Sequence, residues 1–151
     1  MSAQDIAKLR SITGAGVMDC KKALEETGGD FEKAKKILSE NAAVIAKKKA
    51  ERATNHGVIE GYLHGGKIGV LVEILCESDF VAKNPEFQEL TKNIALQIAS
   101  MNPKDVNELL KQEYVKDPEL TIEDYLNSII GKIRENIKIK RFVRFELGEN
   151  N

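Results

Sequence analysis

The alternation of apolar and polar residues is clearest from Lys67 to Cys76, where every second residue is apolar. A period of two places alternate side chains on one face of a β-strand. A second apolar run precedes this stretch, and the intervening His64-Gly65-Gly66 predicts a β-hairpin. Leu71 and Leu75 make the opposite face apolar as well. We therefore expect the sheet to need cover on both sides, by helices on one side and another sheet on the other.

A helical period follows. Apolar residues recur three or four positions apart from Pro85 to Met101, which predicts a helix with one apolar face and a polar back. Asn84 can cap its first turn, Pro85 suits its first position, and Pro103 ends it. The residues predicted to face inward are Phe87, Leu90, Thr91, Ile94, Ile98 and Met101.

The first fifty residues predict a small helical unit of three helices, which are separated by glycines at Gly14-Ala15-Gly16 and Gly28-Gly29. Asp30 is a favourable N-cap for the third helix. Three helices joined by tight turns predict a compact bundle. The residues expected to face its interior are Ile6, Leu9, Ile12, Val17, Cys20, Ala23, Leu24, Phe31, Ala34 and Leu38.

The charge pattern divides the chain into two domains. From Ala42 to Ala53 the helical pattern continues but becomes basic, and we interpret this segment as a solvated linker helix. The predicted domains are 1–53, the helical bundle with its linker, and 54–151, an α+β core.

The end of the chain predicts a further helix and a third strand. The polar segment 104–119 predicts a short helix plus a loop, and Thr121 caps the helix that follows. The strand from Ile137 to Leu147 is expected to join the hairpin antiparallel. Its predicted apolar face consists of Ile137, Ile139, Val143, Phe145 and Leu147, and Phe142 shares the other face with Lys138, Lys140 and Arg144. That basic side predicts a solvated edge or, alternatively, a partner-facing surface. The fold class is α+β: a three-helix bundle followed by a three-stranded antiparallel sheet with helices on one face.

The segment from Glu77 to Pro85 connects the strongest strand pattern to the best-capped helix. Connectors held between rigid elements are common places for binding residues. The residues by themselves favour a structural interpretation, in which Phe80 packs under the helix and Asp79 caps a turn. The alternative is that both side chains are presented at the rim of the sheet.

Composition narrows the function classes. The 151 residues are 42% hydrophobic and 31% charged, with 23 basic and 24 acidic side chains. This balance argues against a general nucleic-acid binder, which normally carries a basic excess. Neither a membrane-spanning apolar run nor the layout of a signal peptide is found, so we expect a cytoplasmic protein.

Candidate chemistry is sparse, and we do not expect an enzyme. Cys20 and Cys76 are far apart on apolar faces, which is typical of buried thiols. His56 and His64 have no neighbouring nucleophile and are interpreted as surface or turn residues. The turn at 13–16 lacks the Lys-Ser/Thr of a phosphate-binding loop. We expect neither a cofactor nor a metal site.

Three motifs in order along the chain carry a resemblance to a known family. They are LRSITGAGVMDCKKAL at 9–24, SDFVAK at 78–83 and RENIKIKRF at 134–142. Together they resemble elongation factor Ts, the family of nucleotide exchange factors for the translational GTPase elongation factor Tu. The match spans nearly the whole chain. The first motif alone is compatible with any ubiquitin-associated-like bundle, so an adaptor without exchange activity is the alternative function. A small hydrolase or transferase would need a substrate pocket.

The resemblance implies a mechanism in which no bond is made or broken. Asp79 and Phe80 would press on the GTPase near its magnesium and phosphate site, and the bundle would dock on one of its helices. This loosens the nucleotide, so that GDP leaves and GTP can replace it. The partner-binding residues implied in this way are Ser78, Asp79, Phe80, Val81, Lys83, Val17, Met18 and Lys21.

The resemblance is to the short form of the family, because a single core half is present. That form pairs through its sheets into a homodimer, and the apolar residues Leu71 and Leu75 agree with such pairing. We expect a homodimer and a GTPase partner, and neither nucleic acid nor a membrane.

Overall fold

Seven helices and five strands form within residues 2–149, the part of the chain that the computed structural model describes. Residues 1, 150 and 151, which the predicted domains include, lie outside the described residues. The elements in chain order are α1 Ala3–Thr13, α2 Val17–Glu26, α3 Phe31–Lys49, β1 His56–His64, β2 Ile68–Cys76, α4 Asp79–Ala82, α5 Pro85–Met101, α6 Val106–Lys111, β3 Glu113–Tyr114, β4 Asp117–Thr121, α7 Ile122–Ile133 and β5 Ile137–Glu146. The predicted α+β class is confirmed.

The first three helices form the predicted bundle. Asp30 caps α3 by accepting a hydrogen bond from the Lys33 N–H at 3.1 Å. The bundle core consists of Leu9, Cys20, Ala23, Leu24, Ala34 and Leu38. Two predicted inward residues, Ile12 and Val17, are instead exposed. They lie on either side of the turn between α1 and α2, and Ile12 faces an open cleft.

The three-stranded sheet has the order β1-β2-β5 and is antiparallel throughout. The predicted hairpin is confirmed: His64 pairs with Ile68 across a three-residue turn, in which Gly65 and Gly66 take left-handed φ values of 57° and 69° that favour glycine. We call the face that packs on α5 the inner face and the other one the outer face. The inner face of β2 is buried and consists of Val70, Val72, Ile74 and Cys76.

A β-bulge reverses the predicted face of the last strand. The register between β2 and β5 shifts because Lys140 has no partner: Ile74 pairs with Ile139, whereas Glu73 pairs with Arg141. One extra residue exchanges the faces of every side chain after it. Ile137 and Ile139 are buried as predicted. Phe142 packs against the core and the Arg144 side chain is almost fully buried, whereas Val143, Phe145 and Leu147 are exposed, contrary to the prediction.

The long helix α5 starts where predicted, with Asn84 accepting the Glu86 N–H at 2.7 Å. The predicted polar back is confirmed at Gln88, Glu89 and Lys92, which are exposed. The buried side is wider than predicted, since Asn93 and Gln97 are also buried, and Met101 is exposed. Asn93 and Gln97 are buried because the small β3–β4 hairpin covers them, in a segment predicted to be a short helix plus a loop. Gln97 bonds to the Glu113 carbonyl and accepts the Val115 N–H, so polar residues are satisfied beneath this cover.

The bundle and the core are joined along α3. Most buried residues fall into two clusters, and Ala46 of α3 belongs to the larger one with the sheet. One turn earlier in α3, Ala42 packs against Gly131 of α7. A Cβ added at Gly131 would lie 3.5 Å from the Ala42 Cβ, which is van der Waals contact. The predicted division after Ala53 stays a prediction. None of the helices in residues 2–149 has the length and apolarity needed to cross a bilayer.

Candidate functional site

The connector between β2 and α5 forms a one-turn helix, α4, at the rim of the sheet. Ser78 is its N-cap, and the Ser78 hydroxyl oxygen accepts the Val81 N–H at 3.2 Å. This is the capping role that serine fills at helix starts. The Asn84 N–H closes the turn by donating to the Val81 carbonyl at 2.9 Å. The helix is therefore fixed at both ends.

The two faces of α4 differ in burial. Val81 and Ala82 point into the core and are about 5% exposed. Phe80 points outward and is 84% exposed, so the structural interpretation that the residues alone favoured is wrong. The cap is Ser78 rather than Asp79. Of the predicted partner-binding residues, Val81 anchors the helix and cannot offer its side chain to a partner.

Asp79 stands beside Phe80 and forms an ion pair with Lys83, at 3.0 Å between carboxylate and ammonium. Both side chains are exposed, so the pair contributes little stability and can reopen at low cost. A shallow cleft of about 320 Å³ adjoins Asp79 and is lined by the start of β1 and by Glu73 and Leu75 of β2. The rim thus presents an aromatic ring, a carboxylate and an ammonium side by side.

Glu135 holds the base of α4, and sequence analysis missed it as a site residue. One carboxylate oxygen accepts the N–H groups of Glu77 at 3.1 Å and Ser78 at 3.0 Å. The other oxygen accepts the Ser78 hydroxyl at 2.7 Å. The only signal for it was its place in the third motif.

Cys76 lies beneath this base and is buried, as predicted. Burial, with a smaller contribution from the nearby Glu135 carboxylate, raises the pKa of the Cys76 thiol to about 11. A thiol with so high a pKa stays protonated near neutral pH and is a poor nucleophile. Cys20 is buried in the bundle, and burial likewise raises its pKa.

A second exposed apolar surface lies on α2. Met18 is 70% exposed, and Val17 and Lys21 are exposed beside it. These are the bundle residues that the resemblance implies for docking.

An open cleft of about 610 Å³ separates the bundle from the core. Its walls carry both signs of charge, from Arg10, Lys35 and Lys132 and from Asp19 and Asp124. Within residues 2–149, no group of three or more histidine, cysteine or carboxylate side chains comes together in a way that could hold a metal ion.

The third apolar surface is the outer face of the sheet. The Glu73–Arg141 ion pair, at 2.6 Å, neutralises its two central charges. The exposed apolar residues on this face are Ile59, Leu63, Leu71, Val143 and Phe145.

Three exposed apolar surfaces of this kind are typical of the class of proteins that bind other proteins. Comparison with known proteins supplies the family. Residues 77–151 match the family model described as Elongation factor TS. The chain is 44% identical to Elongation factor Ts of Thermoanaerobacter sp. (strain X514), covering 99% of this chain and 96% of the relative. It is 43% identical to that of Caldanaerobacter subterraneus and 41% identical to the chloroplastic Elongation factor Ts of Guillardia theta, with 99% of this chain aligned in both cases and 98% and 90% of the relatives. The chain belongs to the elongation factor Ts family, and its role is that of a nucleotide exchange factor in protein biosynthesis.

The aligned span is longer in these relatives than in this chain. The alignments run over 195 or 196 positions, whereas this chain has 151 residues. These relatives therefore carry residues inside the aligned span that have no counterpart here.

Proposed function

We propose that this protein binds the GTPase elongation factor Tu and promotes exchange of GDP for GTP by wedging Asp79 and Phe80 near the magnesium and phosphate site. Under this proposal it makes and breaks no bond, and it needs no cofactor. The observation that carries the proposal is the 84% exposure of Phe80 on a helix fixed at both ends.

The position of Phe80 supports a wedge because an exposed aromatic ring gains by being buried. Burying a phenylalanine contributes about 1.5–3 kcal/mol, and α4 is already ordered before the partner arrives. Asp79 adds a negative charge, and its ion pair with Lys83 is exposed and therefore weak. A carboxylate pushed toward a bound magnesium ion would compete with the phosphates for it.

Phe80 cannot supply the whole effect. A thousandfold acceleration of GDP release needs about 4 kcal/mol of preferential binding to the opened state. The rest must come from other contacts that hold the GTPase in place. Val17, Met18 and Lys21 on α2 offer a surface of the right character for this purpose. By linkage, nucleotide must weaken binding of the factor as much as the factor weakens binding of nucleotide.

The outer face of the sheet supports a second part of the proposal, that two copies form a homodimer by packing these faces together. The face carries apolar residues on all three strands, and Glu73 and Arg141 near its centre pair within the same chain. Lys138 and Lys140 are exposed on β5 as well, and a second copy would have to leave both ammonium groups in contact with solvent.

The test is release of labelled GDP from elongation factor Tu in stopped flow. Catalytic amounts of the wild-type protein should accelerate release, and Phe80→Ala should slow it about tenfold to a hundredfold, the range expected for loss of a buried phenylalanine. Much of the binding to nucleotide-free GTPase should persist.

Val115→Ala is the control, because Val115 is an exposed apolar residue of the β3–β4 turn, away from α4. It should leave the rate unchanged. Wild-type speed with Phe80→Ala would remove the wedge from the mechanism. Binding without any acceleration would favour the adaptor alternative.

A further inference from the structure

We propose that Glu135 is a positioning residue for exchange: it fixes the direction in which α4 presents Phe80. The inference rests on the proposed function, since it concerns the same wedge. The third sequence motif, at 134–142, contributes no side chain to the exposed rim. Through Glu135 it would nevertheless take part in the mechanism.

The geometry is a carboxylate that uses both oxygens on one short segment. Glu135 accepts the N–H groups of Glu77 and Ser78 through one oxygen, at 3.1 and 3.0 Å, and the Ser78 hydroxyl through the other, at 2.7 Å. Hydrogen bonds to an ionised acceptor are about twice as strong as neutral ones. Three of them fix both the position and the rotation of the segment from which α4 starts.

Ser78 transmits this constraint to the helix. Its hydroxyl donates to Glu135 and at the same time accepts the Val81 N–H at 3.2 Å. A helix of four residues cannot maintain itself, because an isolated turn lacks the cooperativity of longer helices. Only Val81 and Ala82 bury side chains beneath it. The orientation of Phe80 therefore depends on the cap, and the cap depends on Glu135.

Glu135 is itself held firmly. The preceding Arg134 ends α7 in the left-handed conformation, with φ of 69°, and its N–H donates to the Ile130 carbonyl at 2.8 Å. The following Asn136 is buried, and its N–H donates to the Glu77 carboxylate. The two segments are thus bonded reciprocally: Glu135 binds the backbone of Glu77, and Glu77 binds the backbone of Asn136.

The same network reaches the end of the linker. The Asn136 side-chain amide donates to the carbonyls of Ala50 at 3.3 Å and Arg52 at 2.9 Å. Arg52 also lies 3.5 Å from the Glu77 carboxylate. The base of the wedge is therefore bonded to the segment that leaves the bundle, which fixes the wedge relative to the second proposed docking surface.

The test is a double-mutant cycle on stimulated GDP release. Glu135→Ala should slow release by elongation factor Tu about tenfold at saturating factor, because the ring is no longer presented in one direction. In the Phe80→Ala background the same substitution should change the rate less than twofold. Residues that act through one another are non-additive in this way.

Glu135→Gln serves as the conservative variant. Its amide oxygen can still accept the two backbone N–H groups, and its amide group can donate to the Ser78 hydroxyl oxygen. It should restore the rate to within about threefold of wild type.

Asp124→Ala is the matched control for a loss of stability, because Asp124 also accepts a backbone N–H, that of Thr121 at 3.1 Å, but at the opposite end of α7. It should leave the rate unchanged. If Glu135→Ala does not fold, Ser78→Ala replaces it in the cycle, with the same non-additivity expected.

The outcomes separate the two proposals. If the wild-type protein does not accelerate GDP release, the proposed function and this inference both fail. If Phe80→Ala slows release but Glu135→Ala does not, or if the two effects multiply, only the assignment of Glu135 is overturned.

Discussion

Both faces of the three-stranded sheet carry aliphatic side chains, but only the inner face is buried. On β2, Val72 and Ile74 of the inner face are at most 1% exposed, whereas Leu71 of the outer face is 54% exposed. All are aliphatic residues of a central strand. The difference lies in what covers these side chains. Helix α5 packs on the inner face, whereas Leu71 on the outer face is left exposed by the elements within residues 2–149.

This comparison teaches that an apolar face serves folding only when its own chain covers it. Buried apolar surface contributes about 25 cal/mol per Å², and the inner face gains this when the single chain folds. The outer face would gain it only by association. The inner face should therefore determine stability, and the outer face should determine assembly.

The largest effect is expected for a truncation on the inner face. Ile74→Ala should reduce the free energy of unfolding by about 2–5 kcal/mol, because it removes a fully buried side chain and leaves a cavity. Leu71→Ala, the matched truncation on the outer face, should cost less than about 1 kcal/mol at concentrations where the protein is monomeric. Urea unfolding measures both, and equal losses would contradict the distinction between the faces.

The next effect concerns assembly. Leu71→Glu should raise the dissociation constant of the proposed homodimer at least about a hundredfold, since it would bury an unpaired charge in an apolar contact. Sedimentation equilibrium across a concentration series measures this, with Val115→Glu as a control at an exposed valine elsewhere. A wild-type mass that stays monomeric at every concentration would exclude the dimer.

A smaller effect is expected from the pH dependence of stability, because the Cys76 thiol lies on the buried inner face. The pKa of the Cys76 thiol is raised from 9.0 to about 11 by burial, so the folded state keeps a proton that the unfolded state releases. The stability that this provides is fully present below pH 9 and is lost as the pH rises from 9 to 11. At pH 10 the wild-type protein should have lost about 1.4 kcal/mol more than Cys76→Ala, relative to pH 7. Urea unfolding of both proteins at the two pH values checks this, and a constant difference between them would show that the thiol is not desolvated.

The smallest effect on the free energy of unfolding is expected at Arg144, whose side chain lies on the inner side of β5 after the bulge. The Arg144 guanidinium donates to the Ala99 carbonyl at 3.1 Å and pairs with Glu146 at 3.0 Å, but its Nε and Nη1 have no acceptor among the described residues. Buried donors without acceptors lower stability, so Arg144→Met should raise the free energy of unfolding by about 1 kcal/mol. Lys138→Met, at an exposed cation of the same strand, should change it by less than 0.5 kcal/mol, the usual range for surface substitutions. A loss of stability in Arg144→Met would mean that its two contacts outweigh the unsatisfied donors.

Much of the fold could be predicted because its signals are local. Asp30, Asn84 and Thr121 cap the helices that they were expected to cap, and the glycine turn joins the expected hairpin. The small β3–β4 hairpin could not be predicted, since Glu113–Tyr114 is too short to show a period. Without this hairpin, nothing in the prediction indicated that the polar residues Asn93 and Gln97 of α5 would be buried.

The place of the candidate site in the chain was predicted, but the residue that holds α4 in place was not. The connector was recognised from its flanks and from the family motif, and Phe80 does stand at the rim. The residues alone favoured burial of Phe80, because an isolated aromatic residue carries no sign of the side on which it lies. Glu135 was missed because it is 57 residues away in sequence from Ser78.

The sequence by itself determined where the longer helices and strands lie, since caps, turns and periodicity act over a few neighbouring residues, whereas α4 and the β3–β4 hairpin were too short to show a period. The tertiary structure decided which face of each element is covered. The unpaired Lys140 shows why: one extra residue in β5 exchanges the sides of Phe142 and Val143, and that choice depends on pairing with a strand more than sixty residues earlier.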